Sequence, residues 1–288
     1  MSFSSDVKDE LIKHISPARH CQIAELAAMM HFCGQYGRDA EGNYTIGFQT
    51  ENESVVTKGF TLLKKTFNID ADGLINEEQM LGFLSKIGDL QEPVNGLLIK
   101  NSCCQRAFLR GAFLSVGSMS DPQKGYHLEF VCTEKDKAEQ LRSVMQGFEL
   151  DAKIVLRKKY YVVYLKEGSC IVDLLNICEA YKALMDFENL RILKEMRNSV
   201  NRRVNCETAN ITKTVNAAAR QIEDIKYIRD HYGLQNLPES LREIAEVRLE
   251  NPDAPLKELG NYLSSPVGKS GVNHRLRKIS ELADRIRE

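Results

Sequence analysis

Two stretches within the first 190 residues repeat one another. LAAMMHFCG at 26–34 lies over LRGAFLSVG at 109–117 with an offset of 83 residues. Tyr44 and Phe48 lie over Tyr126 and Phe130 at an offset of 82, and FNIDA at 67–71 lies over FELDA at 148–152 at 81. The offset drifts one residue at a time, as short loop insertions would move it. An internal repeat constrains the fold before any local propensity does, because both copies must build the same elements.

The order of elements is the same in each copy. An apolar helix comes first, then a short alternating strand over Thr45–Thr50 or His127–Cys132. A helix follows, with apolar residues at 56, 60, 63 and 67 in one copy and at 138, 141, 145 and 148 in the other. The second copy continues with AKIVLRKKYYVVYLKEG, which predicts a β-hairpin, and closes with an apolar helix around 169–181. The unit is αββαββα-like and is used twice, over about 20–90 and 103–183, which makes this part of the chain α+β. In the first copy only residues 70–76 separate FNIDA from a closing helix around 77–87, so its second hairpin is mostly missing.

The opening helices carry small residues, Ala27 and Ala28 in one and Gly111 and Ala112 in the other. Little side chain there lets two helices pack backbone to backbone across a pseudo-two-fold axis. Each is expected to stop at glycine, Gly34 or Gly117, as helix C-termini commonly do. The pair resembles the LAGLIDADG helices of homing endonucleases. In such nucleases the acid before the last glycine binds the catalytic divalent metal. Here those positions hold Cys33 and Val116. Valine binds no metal, and cysteine is too soft a ligand for magnesium. Two-metal phosphodiester cleavage needs carboxylates, so no catalytic residue is assigned and the domain is not expected to be an enzyme.

After Gly233 the sequence predicts three helices with short breaks: ESLREIAEVRLE behind Pro238, LKELGNYL, and VNHRLRKISELADRIR. SSPVGKSG supplies the turn before the last. Val272, Leu276, Ile279, Ala283 and Ile286 make one apolar stripe along that helix. Asn273, His274, Arg277 and Lys278 fall on the opposite face. A short helix, a glycine-containing turn and a longer helix with a basic outer face is helix-turn-helix order. The alternative from pattern alone is a three-helix bundle with a solvated charged face. On the DNA-binding reading, Arg277 and Asn273 are the candidates for base contacts and Lys269, Arg275 and Lys278 for phosphate, with Ser270 at the turn and His274 beside them.

Net charge is only −1, which by itself argues against a nucleic-acid binder. Its distribution argues the other way. Residues 1–186 hold 21 basic and 25 acidic residues, whereas 191–229 hold nine basic and four acidic. In that basic stretch Arg197, Arg202 and Arg203 are possible phosphate contacts, and a solvated helix is the equal alternative.

Three longer segments carry a closer resemblance: CCQRAFLRGAFLSVGSMSDPQKGYHLEFV at 103–131, NRRVNCETANITKTVNAAARQIEDI at 201–225, and LPESLREIAEVRLENPDAPLKELGNYL followed by SGVNHRLRKI. They resemble the WhiA regulator family over nearly the whole chain. The resemblance implies a degenerate LAGLIDADG domain over 1–186, a helical basic linker over 187–233 and a C-terminal helix-turn-helix over 234–288. It also implies a DNA-binding transcription regulator linked to cell division, chromosome segregation or sporulation. The shortened first repeat departs from the family layout.

Other signals are weaker. Asn68, Asp70, Asp72, Gly73, Ile75 and Gln79 fall on the EF-hand calcium template, but position twelve is Gln79 rather than glutamate and no second loop occurs. His20, Cys21, His31 and Cys33 are metal-binding residue types. Residues two apart on a helix point away from each other, so they are read as buried structural residues, and Cys103 and Cys104 as core-facing. The eight cysteines are scattered, without C-x-x-C, and are expected to be reduced thiols. No cofactor and no metal is implied. The N-terminus lacks the zones of a secretory signal, and no apolar run reaches the roughly 18 residues of a membrane span, so the chain is expected in the cytoplasm. The expected partner is double-stranded DNA, with the acidic first domain left for DNA contacts or a protein partner, and two repeats in one chain make a monomer sufficient. The rival functions are a ligand- or metal-sensing regulator and a residual endonuclease.

Overall fold

A computed structural model describes residues 2–288, which divide into two compact units, the first ending at Glu195 and the second running Met196–Glu288. The first unit opens with α1 (Phe3–Lys13), whose N-cap Ser2 accepts a hydrogen bond from the Ser5 amide. The first repeat follows as α2 (Arg19–Cys33), β1 (Gly34–Arg38), β2 (Tyr44–Phe48), α3 (Glu53–Phe67), β3 (Leu74–Ile75) and α4 (Glu77–Ile87). The second runs α5 (Ser102–Val116), β4 (Gly117–Met119), β5 (Leu128–Cys132), α6 (Lys135–Gln146), β6 (Lys153–Arg157), β7 (Tyr160–Leu165) and α7 (Gly168–Ile177). The expected αββαββα order is therefore complete in the second copy and short by one strand in the first.

The sheets repeat the same register. In the first, Gly34 pairs with Phe48 in an antiparallel β1–β2 ladder. In the second, Gly117 pairs with Phe130 in β4–β5. Strand order is β1-β2-β3 in one sheet and β4-β5-β7-β6 in the other. Five residue pairs join β5 to β7, but only Tyr44–Ile75 and Thr45–Leu74 join β2 to β3. The cause lies in the turn after α3. Asn68 ends that helix in the left-handed region, and Gly73 follows with φ 69°. The Ile46 amide donates to the Gly73 carbonyl at 2.8 Å, and a Cβ on Gly73 would come within 2.1 Å of the Ile46 carbonyl oxygen. Glycine thus lets the chain return to β2 at once, without the hairpin.

The small residues do what their positions predict. A Cβ on Gly111 would sit 2.4 Å from the Glu25 carbonyl oxygen and 3.0 Å from Ala28 Cβ, so α2 and α5 touch through backbone. Ala27, Ala28 and Ala112 are fully buried there. Gly34 and Gly117 cap their helices for a different reason from the one expected. Their φ values, −81° and −79°, are extended rather than left-handed, and each begins a strand directly. An added Cβ would collide with the last helical turn, at 2.5 Å from Met30 O or from Phe113 Cδ2.

The calcium-like loop is a cap. Asn76 and Gln79 close a capping box at the start of α4, Asp72 accepts from the Leu74 amide, and Asp70 pairs with Lys64 at 2.8 Å. Asp70, Asp72 and Gln79, which would have faced an ion, each have a local partner.

Of helix α8 (Tyr181–His231), residues 181–195 belong to the first unit and 196–231 to the second, which continues with a 3-10 turn (Leu234–Asn236), α9 (Glu239–Glu250), α10 (Leu256–Asn261) and α11 (Lys269–Arg287). The second core gathers Ile225 and Ile228 of α8, Ile244 and Ala245 of α9, Leu259 of α10, and Val272, Leu276, Ile279 and Ala283 of α11. Within that unit Arg287 of α11 pairs with the buried Asp224 at 2.9 Å. Gly260 is required between α10 and α11, because a Cβ would lie 2.1 Å from the Val267 carbonyl oxygen. Among the described residues no helix is long and apolar enough to cross a membrane.

Candidate nucleic-acid interface

The apolar stripe of α11 fixes which way its polar residues face. Val272, Leu276, Ile279 and Ala283 are buried and Ile286 is half-buried. Asn273, His274, Arg277 and Lys278 are exposed on the other side. The helix starts at Lys269, three residues before the expected start, so Lys269 and Ser270 occupy its first turn rather than the preceding loop. Both are exposed. The N-cap is Gly268, which supplies no side-chain acceptor. The first-turn amides are therefore available to an external anion, at the positive end of the helix dipole.

The basic residues of α11 are not equivalent. Arg277 donates to Glu281 at 3.0 Å one turn on, in an exposed ion pair that little energy is needed to break. Arg275 is half-buried against α9, where its charge and a hydrogen bond from the Ser264 amide at 2.5 Å hold the Glu243 carboxyl below its usual range, the hydrogen bond being the larger cause. Glu239, Glu243 and Glu246 line the groove on that side. Arg242 and Arg275 line the same groove, and Lys269, Ser270, Asn273 and Arg277 are exposed on the solvent face of α11.

Arg197, Arg202 and Arg203 are exposed on α8. Their spacing spreads them around the helix rather than along one stripe, so a single duplex backbone would meet them one at a time.

In the first unit Cys33 and Val116 end α2 and α5. Cys33 is 8% exposed, and burial pushes its thiol up, opposed by Ser115 and by the charge of Lys8. Lys8 is itself lowered by burial. A thiol, a valine and a lysine stand where a divalent ion would need carboxylates.

Two expected placements are corrected: Cys103, read as core-facing, and His20, read as buried, are both exposed, as is Cys206. The cysteines are also less scattered than their sequence positions suggest. His20, Cys21, Cys103 and Cys104 come together, with donor atoms all within 4.8 Å of one another. His31 stands apart, between the Glu92 and Ile87 carbonyls at 2.7 and 3.1 Å. The signal that would have found the cluster is the repeat itself, because the offset of 83 carries His20–Cys21 onto Cys103–Cys104.

Comparison with known proteins covers the whole chain. The family described as the WhiA N-terminal LAGLIDADG-like domain matches residues 19–82, the WhiA LAGLIDADG-like domain 105–197, and the WhiA C-terminal HTH domain 200–283. The probable cell division protein WhiA of Lachnoclostridium phytofermentans is 51% identical, covering 100% of both chains. That of Alkaliphilus oremlandii is 49% identical over 100% of this chain and 98% of the relative. The alignment to the first spans 313 positions, 25 more than the 288 residues of this chain, so the relative carries segments that this chain lacks. The crystal structure of full-length DUF199/WhiA from Thermatoga maritima is 27% identical, with a TM-score of 0.60 over 99% of each chain.

Proposed function

The chain belongs to the WhiA family, and from that premise we propose that it is a sequence-specific DNA-binding regulator of cell division that reads duplex DNA through α11. The carrying observation is the solvent face of α11. Asn273, His274, Arg277 and Lys278 project from a helix whose uncapped first turn, with Lys269 and Ser270, points its amides outward. Arginine can bridge guanine O6 and N7, and asparagine can pair with adenine, so Arg277 and Asn273 take the base edges. Lys269 and Lys278 take phosphate, with Arg275 at the rim. Arg197, Arg202 and Arg203 add non-specific attraction.

Residues 1–186 form the nuclease-like domain on this reading, 187–233 a basic helical connector and 234–288 the DNA reader. The first domain does not cut, because Cys33 and Val116 leave no acid at the two helix ends. Its 21 basic against 25 acidic residues repel a phosphate backbone and favour a protein partner there. The protein acts on the chromosome, as a monomer, in division, segregation or sporulation. Genome-wide mapping of DNA bound by the full chain tests this. Discrete sites that vanish in an Asn273→Ala, Arg277→Ala double variant support it, and an unchanged map in that variant refutes it.

A further inference from the structure

We propose that His20, Cys21, Cys103 and Cys104 form a Cys3His site for one zinc-class divalent ion, which staples the two repeats together at the N-terminal ends of α2 and α5. The geometry is already close to coordination. Every pair of donor atoms lies within 4.8 Å, with His20 Nδ1 at 3.2 Å from Cys104 Sγ and at 3.4 Å from Cys21 Sγ. A tetrahedral zinc site, with bonds of about 2.3 Å to sulfur and 2.0–2.1 Å to nitrogen, sets its donors roughly 3.5–3.8 Å apart. Small side-chain rotations suffice to reach that arrangement.

The position in the fold is the second argument. Each repeat contributes the two residues at equivalent positions in the first turn of its opening helix, His20 and Cys21 in one and Cys103 and Cys104 in the other, related by the offset of 83 that relates the helices. The four donors therefore straddle the pseudo-two-fold axis, and neither repeat can bind a metal without the other.

Donor chemistry selects the ion. Three thiolates and an imidazole suit zinc and reject magnesium and calcium. With four protein ligands no position stays open for substrate, which makes the site structural. It lies at the opposite end of α2 from Cys33, about 20 Å away along the helix, and so does not replace the missing nuclease metal. Cys21 and Cys104 are buried while His20 and Cys103 are exposed, which gives the ion a route in. Packing alone accounts for the two buried thiols but not for an exposed histidine and an exposed cysteine converging on them. Binding releases the three thiol protons and fixes both helix ends.

The test uses the full chain, purified reduced and without chelator, with zinc counted by mass spectrometry and Co2+ as a spectroscopic substitute. The expected result is about one zinc per chain, and, after exchange, the visible bands of tetrahedral cobalt with a thiolate-to-cobalt charge-transfer band. Cys103→Ser should lose most of the metal and the charge-transfer intensity, His20→Cys should keep both, and Cys206→Ser, remote in sequence and exposed, should be unchanged. The wild-type cobalt spectrum stands whether or not a variant folds. A reduced wild-type chain that binds no stoichiometric zinc and shows no tetrahedral cobalt bands overturns the proposal. So does a thiol count showing two of the three clustered cysteines joined as a disulfide, or metal that leaves with Cys206→Ser and stays with Cys103→Ser.

Discussion

Glu25 and Arg110 meet across the α2–α5 interface with both side chains out of solvent, Oε2 to Nε at 3.2 Å. Lys58 of α3 reaches the other carboxylate oxygen at 2.9 Å, an ionic contact rather than an aligned hydrogen bond. Lys58 also donates to the Leu11 carbonyl at 3.2 Å and to that of His14. Arg110 goes on to Glu179 at 2.8 Å and to the Cys178 carbonyl at 3.2 Å. One carboxylate thus holds two cations at the place where the repeats touch through Gly111.

Removing that carboxylate leaves Lys58 with carbonyl partners alone and Arg110 with Glu179 as its one remaining carboxylate, in a dry site. Glu25→Ala should cost about 3–5 kcal/mol of stability in the first unit, read by denaturant unfolding. A loss below about 1 kcal/mol would show that the cations find other partners on relaxation.

Acid should loosen the same unit through its histidines. Burial pushes His31 below its ordinary value, against the raising effect of its two carbonyl partners, and burial followed by the charge of Arg110 does the same to His14. A group whose folded pKa is depressed is neutral in the fold while the unfolded chain protonates. Its contribution is therefore complete above about pH 6.5 and lost as pH falls through the folded value. Unfolding free energy should fall from about pH 6.5 downward, with a shallower slope in His31→Gln. Equal slopes in wild type and variant would remove His31 as a cause.

The order of elements, both opening helices and the α11 stripe were legible because each rests on periodicity or on the repeat. The charge network was not. Glu25 and Lys58 look like ordinary surface residues in the sequence, and only the packing of α3 on α2 shows that neither reaches water. The start of α11 was misplaced because Lys269, Ser270 and Gly271 have no apolar residue to extend the stripe, so the helix begins before its pattern does. The metal-ligand cluster was hidden for a third reason. Its two halves lie 83 residues apart, and no spacing rule for a single segment joins them.

The helix ends at Cys33 and Val116 predict no cleavage. Plasmid incubated with the pure full chain in millimolar Mg2+ or Mn2+ should remain supercoiled. Nicking that persists through further purification would require a metal site built from other residues. Restoring Asp at both positions need not restore cutting, because Lys8 places a positive charge beside Cys33.

DNA binding offers the sharpest separation of roles on α11. Arg277 must leave Glu281 to reach a base, and the exposed pair it abandons is weak. Arg277→Ala should therefore cost roughly 1–3 kcal/mol on a cognate duplex and relax preference at one base pair. Lys269→Ala should weaken cognate and random duplexes alike and lower the salt slope by about one unit, as loss of one phosphate contact does. Arg275→Ala should change affinity less than either, because Arg275 is half-buried beside Glu243 and is spent on α9. A salt titration of binding for the three variants on both duplexes separates these outcomes. If Arg277→Ala and Lys269→Ala bind both duplexes like the wild type, α11 is not the reader, and the basic stretch of α8 or the first unit must carry the contact.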